Sequence, residues 1–321
     1  MRVAIIGAGM AGLTTANILQ AAGIEVTVFD KSKGTGGRLS SRSFAGGWID
    51  HGAPYFSSDR DNFSEFLQGQ LPAENLHLWQ PKVKGALSPD EEPHWIGVPR
   101  NSAITRGLAK DICFQPSTRI ARLAKGPEGW QLYNDGGSML GTWPTVVVAI
   151  PAPQAQVLLS DQPTLAEPIN SVSMEPCWVA AIGCKKELTG VAEVSVYPHP
   201  VVRRIINNSA KPGRKNEHVY LLQANKDWSQ EHLEKSADWV GERLQQAFSQ
   251  LVSATDCEII FVHRWRYAFA EKPLDQPCLW DNELRIGVCG DWCLGRRVED
   301  AWQSGADMAT RILKHFAQEM V

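Results

Sequence analysis

Hydrophobic and polar positions change period twice within the first thirty residues. Residues 2–6 are a short apolar run, 11–22 carry Leu13, Ile18 and Leu19 at helical spacing, and 25–29 alternate. That order predicts a strand, a helix closed by Gly23 and a second strand, forming one βαβ unit. Residues 31–60 are rich in Gly, Ser and Arg and read as an extended, loop-dominated segment, with a short helix over 61–70. Five prolines over 71–100 (72, 81, 89, 93 and 99) leave no clear period, which predicts connecting or edge structure. A helix is expected over 102–109 and strands over 129–133 and 145–150. The last of these is apolar on both faces, as a central parallel strand is.

Alternating segments at 178–184, 191–197 and 218–223 predict further strands. Leu233, Ala237, Val240, Leu244, Phe248 and Leu251 form an apolar stripe that predicts one helix over 230–252 behind the cap Ser229. Over 258–269, Phe261, His263, Trp265, Tyr267 and Phe269 fall on one face of a strand. A strand at 284–289, a turn at 290–297 and a helix over 298–317 return the chain to α/β character.

The length of 321 residues predicts two ordinary domains, and 43% hydrophobic against 21% charged residues excludes a disordered chain. A net charge of -3 with no basic run longer than two residues offers no footprint for nucleic acid or an anionic membrane. Residues 3–24 carry no charge, yet three close glycines with Thr14, Thr15, Asn17 and Gln20 argue against a signal peptide or membrane span. The seven cysteines (113, 177, 184, 257, 278, 289 and 293) are odd in number and scattered, so free thiols and a cytoplasmic location are expected. The Cys289/Cys293 spacing is not that of a metal site, and no metal is expected.

Three motifs carry chemistry. In Gly7-x-Gly9-x-x-Gly12, Gly7 permits a tight turn, Gly9 a close approach of pyrophosphate, and Gly12 close helix–sheet packing, beside Ala11 at the helix start. Amides at that helix N-terminus favour phosphate, and Asp30, at the end of the next strand, suits ribose hydroxyls. Gly34-Thr35-Gly36-Gly37-Arg38 adds a close backbone path and a guanidinium suited to phosphate. The third block runs from Cys289-Gly290-Asp291 through Arg296-Arg297-Val298 to Gly305, a strand end, a loop and a helix start.

Taken with Asp30-Lys31, Gly52-Ala53-Pro54-Tyr55-Phe56, the block 147–154 and His263-Arg264-Trp265-Arg266-Tyr267-Ala268, these motifs resemble bacterial renalase-type flavoproteins of the flavin amine oxidase superfamily. The resemblance runs almost end to end. It implies an α/β fold: a discontinuous Rossmann-like FAD-binding domain of the GR2 or p-hydroxybenzoate hydroxylase type (1–75, 103–158 and 279–321), and a mixed-sheet plus helix substrate domain (76–102 and 159–278). It further implies non-covalent FAD, with Gly7, Gly9, Ala11, Gly12, Asp30, Lys31, Gly37, Arg38, Tyr55, Gly290, Asp291 and Val298 around the cofactor. Asp291 would hold the ribityl chain and the helix at Val298 would face the flavin ring, while His263 and Trp265 line the substrate space. The implied activity is oxidation of 2- or 6-dihydro isomers of NAD(P)H to NAD(P)+, with O2 reduced to H2O2. The partners are therefore a small molecule and O2. The alternatives are a small-molecule amine oxidase and a non-catalytic binding protein of the same fold.

The sequence departs from the resemblance at two places. Pro54 stands where relatives usually have Gln, and Arg100-Asn101 where they have Gly-Met, which puts a cation near the expected substrate loop. Lys272 is read as an exposed loop residue, Cys278 as no site of flavin attachment, and Arg203-Arg204 and Arg296-Arg297 as solvated surface pairs.

Overall fold

The computed structural model describes residues 1–58, 60–87, 95–253 and 256–319. Residues 88–94, part of the proline-rich stretch, lie outside them. The first sheet has six strands in the order Leu279–Asp281, Ile286–Val288, Thr145–Val148, Arg2–Ile6, Glu25–Phe29 and Cys113–Gln115. All neighbours are parallel except the edge strand Leu279–Asp281. Period-two alternation splits its core. Val3, Ile5 and Val147 face the helices Met10–Ala21 and Val298–Glu319, while Ala4, Ile6, Val146 and Val148 face Trp130, Leu132 and Trp143 of a three-stranded antiparallel sheet. Two strands of that small sheet, Ile120–Gly126 and Met139–Trp143, were not expected from the pattern.

The second six-stranded sheet runs Cys257–Lys272, Ser173–Cys184, Val219–Ala224, Val202–Asn207, Val194–Val196 and Val83–Lys84. On one face, Cys177, Val179, Ala181 and Phe261 pack with Ile49 and Tyr55. On the other, Trp178, Ala180, Ile182 and Tyr220 pack with Val240, Leu244 and Phe248 of the helix Ala237–Val252.

Several expectations are corrected. The helix predicted over 230–252 is two helices, Lys226–Glu231 and Ala237–Val252. Ser229 caps neither: its buried Oγ accepts a hydrogen bond from the Trp178 amide, and the Trp178 indole N–H bonds the His232 carbonyl, so the sheet takes the groups a continuing helix would use. Ser236 is the cap instead, accepting from the Trp239 amide at 3.3 Å. The long aromatic strand keeps its period from Phe261 to Trp265 and then slips: Cys177 pairs with Trp265 but Glu175 with Phe269, and Tyr267 does not join the cluster around Phe261. Inside the loop-dominated stretch, Arg42–Phe44 and Gly47–Ile49 form a hairpin around Ala45 and Gly46, both with positive φ.

The expectation of seven free thiols is also corrected. Cys184 and Cys257 lie opposite each other on neighbouring antiparallel strands, with Cα atoms 4.1 Å apart, and form a disulfide. The 73-residue separation hides this pair from the sequence, and the compartment argument loses the support of these two thiols. The other five cysteines are free. Burial raises the thiols of Cys177 and Cys278 to about 11 and that of Cys289 to about 12, so they are packing groups rather than nucleophiles. Arg204, expected at the surface, is buried, whereas Lys272 is exposed at the end of the long strand.

Candidate active site

The opening turn depends on absent side chains. Gly7 sits at φ 115, and a Cβ there would run into the Ala149 carbonyl; a Cβ on Gly12 would collide with the Gly7 carbonyl. Gly9 differs, because a Cβ would meet nothing within 4 Å, so that side of the turn is open. The helix Met10–Ala21 begins there with no side-chain cap and no acidic residue in its first turn, which leaves its positive end uncompensated. Asp30 braces this turn: its Oδ2 accepts from the Ala8 amide at 2.8 Å and its Oδ1 from Ser32 at 2.7 Å.

The second glycine loop docks on the first. The Gly36 amide donates to the Ala8 carbonyl at 3.0 Å, and Gly37, at φ 52, would place a Cβ 3.5 Å from Gly9 Cα. Arg38 then reaches across the chain. Its Nη1 and Nη2 donate to the two carboxylate oxygens of Asp291 at 2.7 and 2.5 Å, and Nη1 also reaches the Ala268 carbonyl at 3.3 Å. A two-pronged guanidinium–carboxylate pair fixes both partners in one plane. The C-terminal helix packs on the opening turn as well: a Cβ on Gly305 would strike the Ala11 carbonyl, and Thr15 Oγ1 donates to the Gly305 carbonyl at 2.9 Å. Gly290 donates its amide to Ser304 Oγ at 2.9 Å. At the helix entrance Asp300 Oδ2 accepts from the amides of Arg296 and Arg297, so Val298 starts the helix behind a closed loop. Lys31 is exposed beside Asp30.

Beside Arg38 lies an aromatic chamber. The Ala53 amide donates to the Arg38 carbonyl at 2.7 Å, which sets the segment 51–56 against the glycine loop. His51 stacks on Trp265 (centroids 5.4 Å, planes 22°) and meets His263 edge-on at 4.8 Å, while the Trp265 indole donates to the His51 carbonyl at 2.8 Å. Arg42 lies over Phe261 at 4.7 Å. Burial, then the charges of His263 and Arg42, pulls His51 down to about 4, and burial with Arg42 lowers His263 too. Both imidazoles are therefore neutral near pH 7. His51 Nδ1 is buried with no hydrogen-bond partner among the described residues. Tyr55 sits in the same cluster, its hydroxyl accepting from Arg204 Nη1 at 2.7 Å, rather than beside the glycine turns.

Behind His51, Asp50 is sealed. Its carboxylate accepts from Ser41 Oγ at 2.7 Å, the Asn101 amide at 2.9 Å, Lys211 Nζ at 3.0 Å and the guanidinium of Arg214; all three charged side chains have 0% exposure. Although burial alone would raise it, the two cations hold the Asp50 carboxyl well below its usual range. Asn101, half of the Arg100-Asn101 departure, also donates to the Ala53 carbonyl at 2.7 Å, so it fixes the floor of the chamber. Its neighbour Arg100 lies over Trp48 at 3.4 Å.

The structure thus brings together Gly7, Gly9, Ala11, Gly12, Asp30, Gly37, Arg38, Gly290 and Asp291, and places His263 and Trp265 beside them. His51, Asp50, Lys211 and Arg214 were missed. His51 lies one residue before the quoted 52–56 block, and nothing local marks the others.

Comparison with known proteins gives the chain a family and its fold several likenesses. Residues 86–313 match the family described as flavin containing amine oxidoreductase, and residues 5–69 match the NAD(P)-binding Rossmann-like domain. The chain belongs to the flavin containing amine oxidoreductase family. Its fold is similar to that of a protein assigned as a protoporphyrinogen oxidase from Exiguobacterium sp. 255-15 (TM-score 0.76, 12% identity, 98% of this chain and 99% of that one). It is also similar to an oxidoreductase from Methanosarcina mazei (TM-score 0.69, 14% identity, 97% and 100%) and to a putrescine oxidase bound to putrescine (TM-score 0.71, 12% identity, 98% and 99%). A curated relative, the tRNA 5-methylaminomethyl-2-thiouridine biosynthesis bifunctional protein of Magnetococcus marinus, is 28% identical over 195 residues, covering 46% of this chain and 29% of that protein. The chain therefore spans less than a third of that relative's length.

FAD, the cofactor of this family, fits the residues present. The open face at Gly9, the uncapped helix start and the loop of Gly37 offer a backbone path for a dinucleotide, and the Arg38–Asp291 pair stands where both ends of the chain meet. Among the described residues no helix is long and apolar enough to cross a membrane, and no group of three or more His, Cys, Asp or Glu could hold a metal.

Proposed function

We propose that this flavoenzyme is a renalase-type oxidase of 2- or 6-dihydro isomers of NAD(P), releasing NAD(P)+ and H2O2. When bound, FAD supplies a two-electron acceptor that O2 reoxidises. The division of the chain that goes with this reading is a cofactor domain of 1–75, 103–158 and 279–321 and a substrate domain of 76–102 and 159–278. The six strands of each large sheet fall within those respective segments.

The observation that carries the reading is the charge of the chamber. His51 and His263 face each other as neutral rings in the field of Arg42, and Asp50, the carboxylate whose charge reaches His51, is already committed to Lys211 and Arg214. An ammonium substrate would meet the Arg42 guanidinium beside two neutral imidazoles, and the carboxylate next to His51, Asp50, is already paired. A dihydronicotinamide finds flat aromatic walls, and its dinucleotide phosphates find positive charge. Because a dihydropyridine becomes aromatic on losing hydride, the work left to His51, His263 and Trp265 is to orient the ring and exclude water. Neither imidazole needs to carry a proton for this.

The test is anaerobic mixing of the FAD-loaded protein with each dihydronicotinamide isomer and with a panel of amines, following bleaching of the flavin absorbance. Bleaching by an isomer and not by amines is expected. Bleaching by amines alone supports the amine oxidase alternative, and bleaching by none supports a non-catalytic binding role; either overturns the proposal.

A further inference from the structure

On the opposite face of the substrate sheet from His51 lies a cleft of about 480 Å³ that the proposed reaction does not use. The two sides are separated by alternation along Ser173–Cys184: Cys177 and Val179 point toward the chamber, whereas Trp178 points toward the helices and donates its indole N–H to the His232 carbonyl. Three segments converge on the cleft: the turn at His199, the short helix Lys226–Glu231 with Trp228, and the long helix Ala237–Val252. On the long helix Trp239, Arg243, Gln246 and Gln250 recur at i, i+4, i+7 and i+11, one stripe beside the buried face.

The chemistry of that stripe is selective. Trp228 and Trp239 lie nearly parallel (12°, centroids 6.2 Å), and His232 sets its ring edge-on to both at 4.7 and 4.9 Å. All three rings are half-buried: Trp228 and Trp239 pack one side on the core and, with His232, line the cleft. Among the described residues no carboxylate lines the cleft. Arg243, near the Trp239 ring at 5.4 Å, has no carboxylate partner among the described residues and hydrogen-bonds only the Gln246 amide oxygen, at 3.4 Å. The nearby Glu234 is taken by Arg264 and Arg266. His199 accepts two backbone amides at Nδ1, from Val201 and Val202, so its Nε2 carries a proton to donate. Stacking rings, amide side chains for a heterocycle edge and two donors without an acid are the groups that recognise a planar heteroaromatic ring bearing a phosphate.

We propose that this cleft is a second ligand site, separate from the flavin chamber, that binds a nucleoside monophosphate. The test is calorimetric titration of the FAD-loaded protein with AMP, adenosine and inorganic phosphate, repeated in Arg243→Gln and Trp239→Leu. Saturable AMP binding is expected, with adenosine and phosphate each weaker by about tenfold or more. Arg243→Gln should weaken AMP about tenfold and leave adenosine unchanged, as loss of a charged donor requires. Trp239→Leu should weaken both AMP and adenosine about tenfold, as loss of a stacking ring requires. No saturable AMP binding overturns the proposal, as does AMP binding no tighter than adenosine. AMP binding that persists unchanged in Arg243→Gln, an exposed substitution that leaves the core untouched, places the ligand elsewhere and overturns it as well.

Discussion

Asp291 and Asp50 are both buried carboxylates, yet Asp291 meets one guanidinium that keeps 28% of its side chain exposed, whereas Asp50 meets two cations with no exposure at all. The first pair joins the two ends of the chain at the edge of the candidate cofactor site and leaves Arg38 open on one side. The second is a closed knot that ties the hairpin at Ser41, the turn at Asn101 and the segment of Lys211 and Arg214 into the wall behind His51. The difference separates two uses of buried charge: one stays available to a ligand, the other fixes backbone segments that carry the ligand's surroundings.

Removing the sealed anion should have the largest effect. Asp50→Asn leaves Lys211 and Arg214 buried without compensation and should cost about 3–5 kcal/mol, read as a lower denaturation midpoint with an unchanged m-value. A loss under about 1 kcal/mol would mean the knot is not the anchor described. Arg38→Ala tests the open pair. It should lower FAD affinity by about 1.5–3 kcal/mol, roughly ten- to hundredfold, so that flavin is lost on gel filtration. Full flavin occupancy in that variant would separate Arg38 from the cofactor.

His51 links the two regions and makes stability depend on pH. Its native value of about 4 lies below the ordinary 6.5, so between those values the unfolded chain takes up a proton that the native chain refuses. Stability therefore falls as pH drops from 6.5 toward 4, and His51→Gln should remove a part of that fall on the order of 2 kcal/mol. Denaturation curves at pH 7 and pH 4.5 measure it; equal slopes in both proteins would show that the ring is not held neutral. The smallest effect lies far from both carboxylates. Ser236→Ala removes the side-chain cap of the helix Ala237–Val252 and should cost about 1 kcal/mol, whereas an effect on flavin content would be unexpected.

Much of this was legible in the sequence because the deciding interactions are local. The strand Glu25–Phe29 and the helix Asp61–Gln70 have the predicted limits, and Gly7, Gly12 and Gly37 sit at backbone positions where a Cβ would collide or φ is positive. Elsewhere locality misled. The apolar stripe from Leu233 onward continues through residues where Trp178, more than fifty positions earlier, takes the His232 carbonyl and ends the helix.

Residue spacing and side-chain chemistry along the chain determined the glycine turns, the open helix start, and Arg38 and Asp291 as candidate partners of a dinucleotide. Only the tertiary structure decided that Cys184 meets Cys257, that Asp50 holds two cations, and that His51 joins His263 and Trp265. The reason is physical: a turn or helix period is set by neighbours a few bonds away, whereas buried pairing depends on which strands share a sheet and in what register. No short stretch of sequence contains that register.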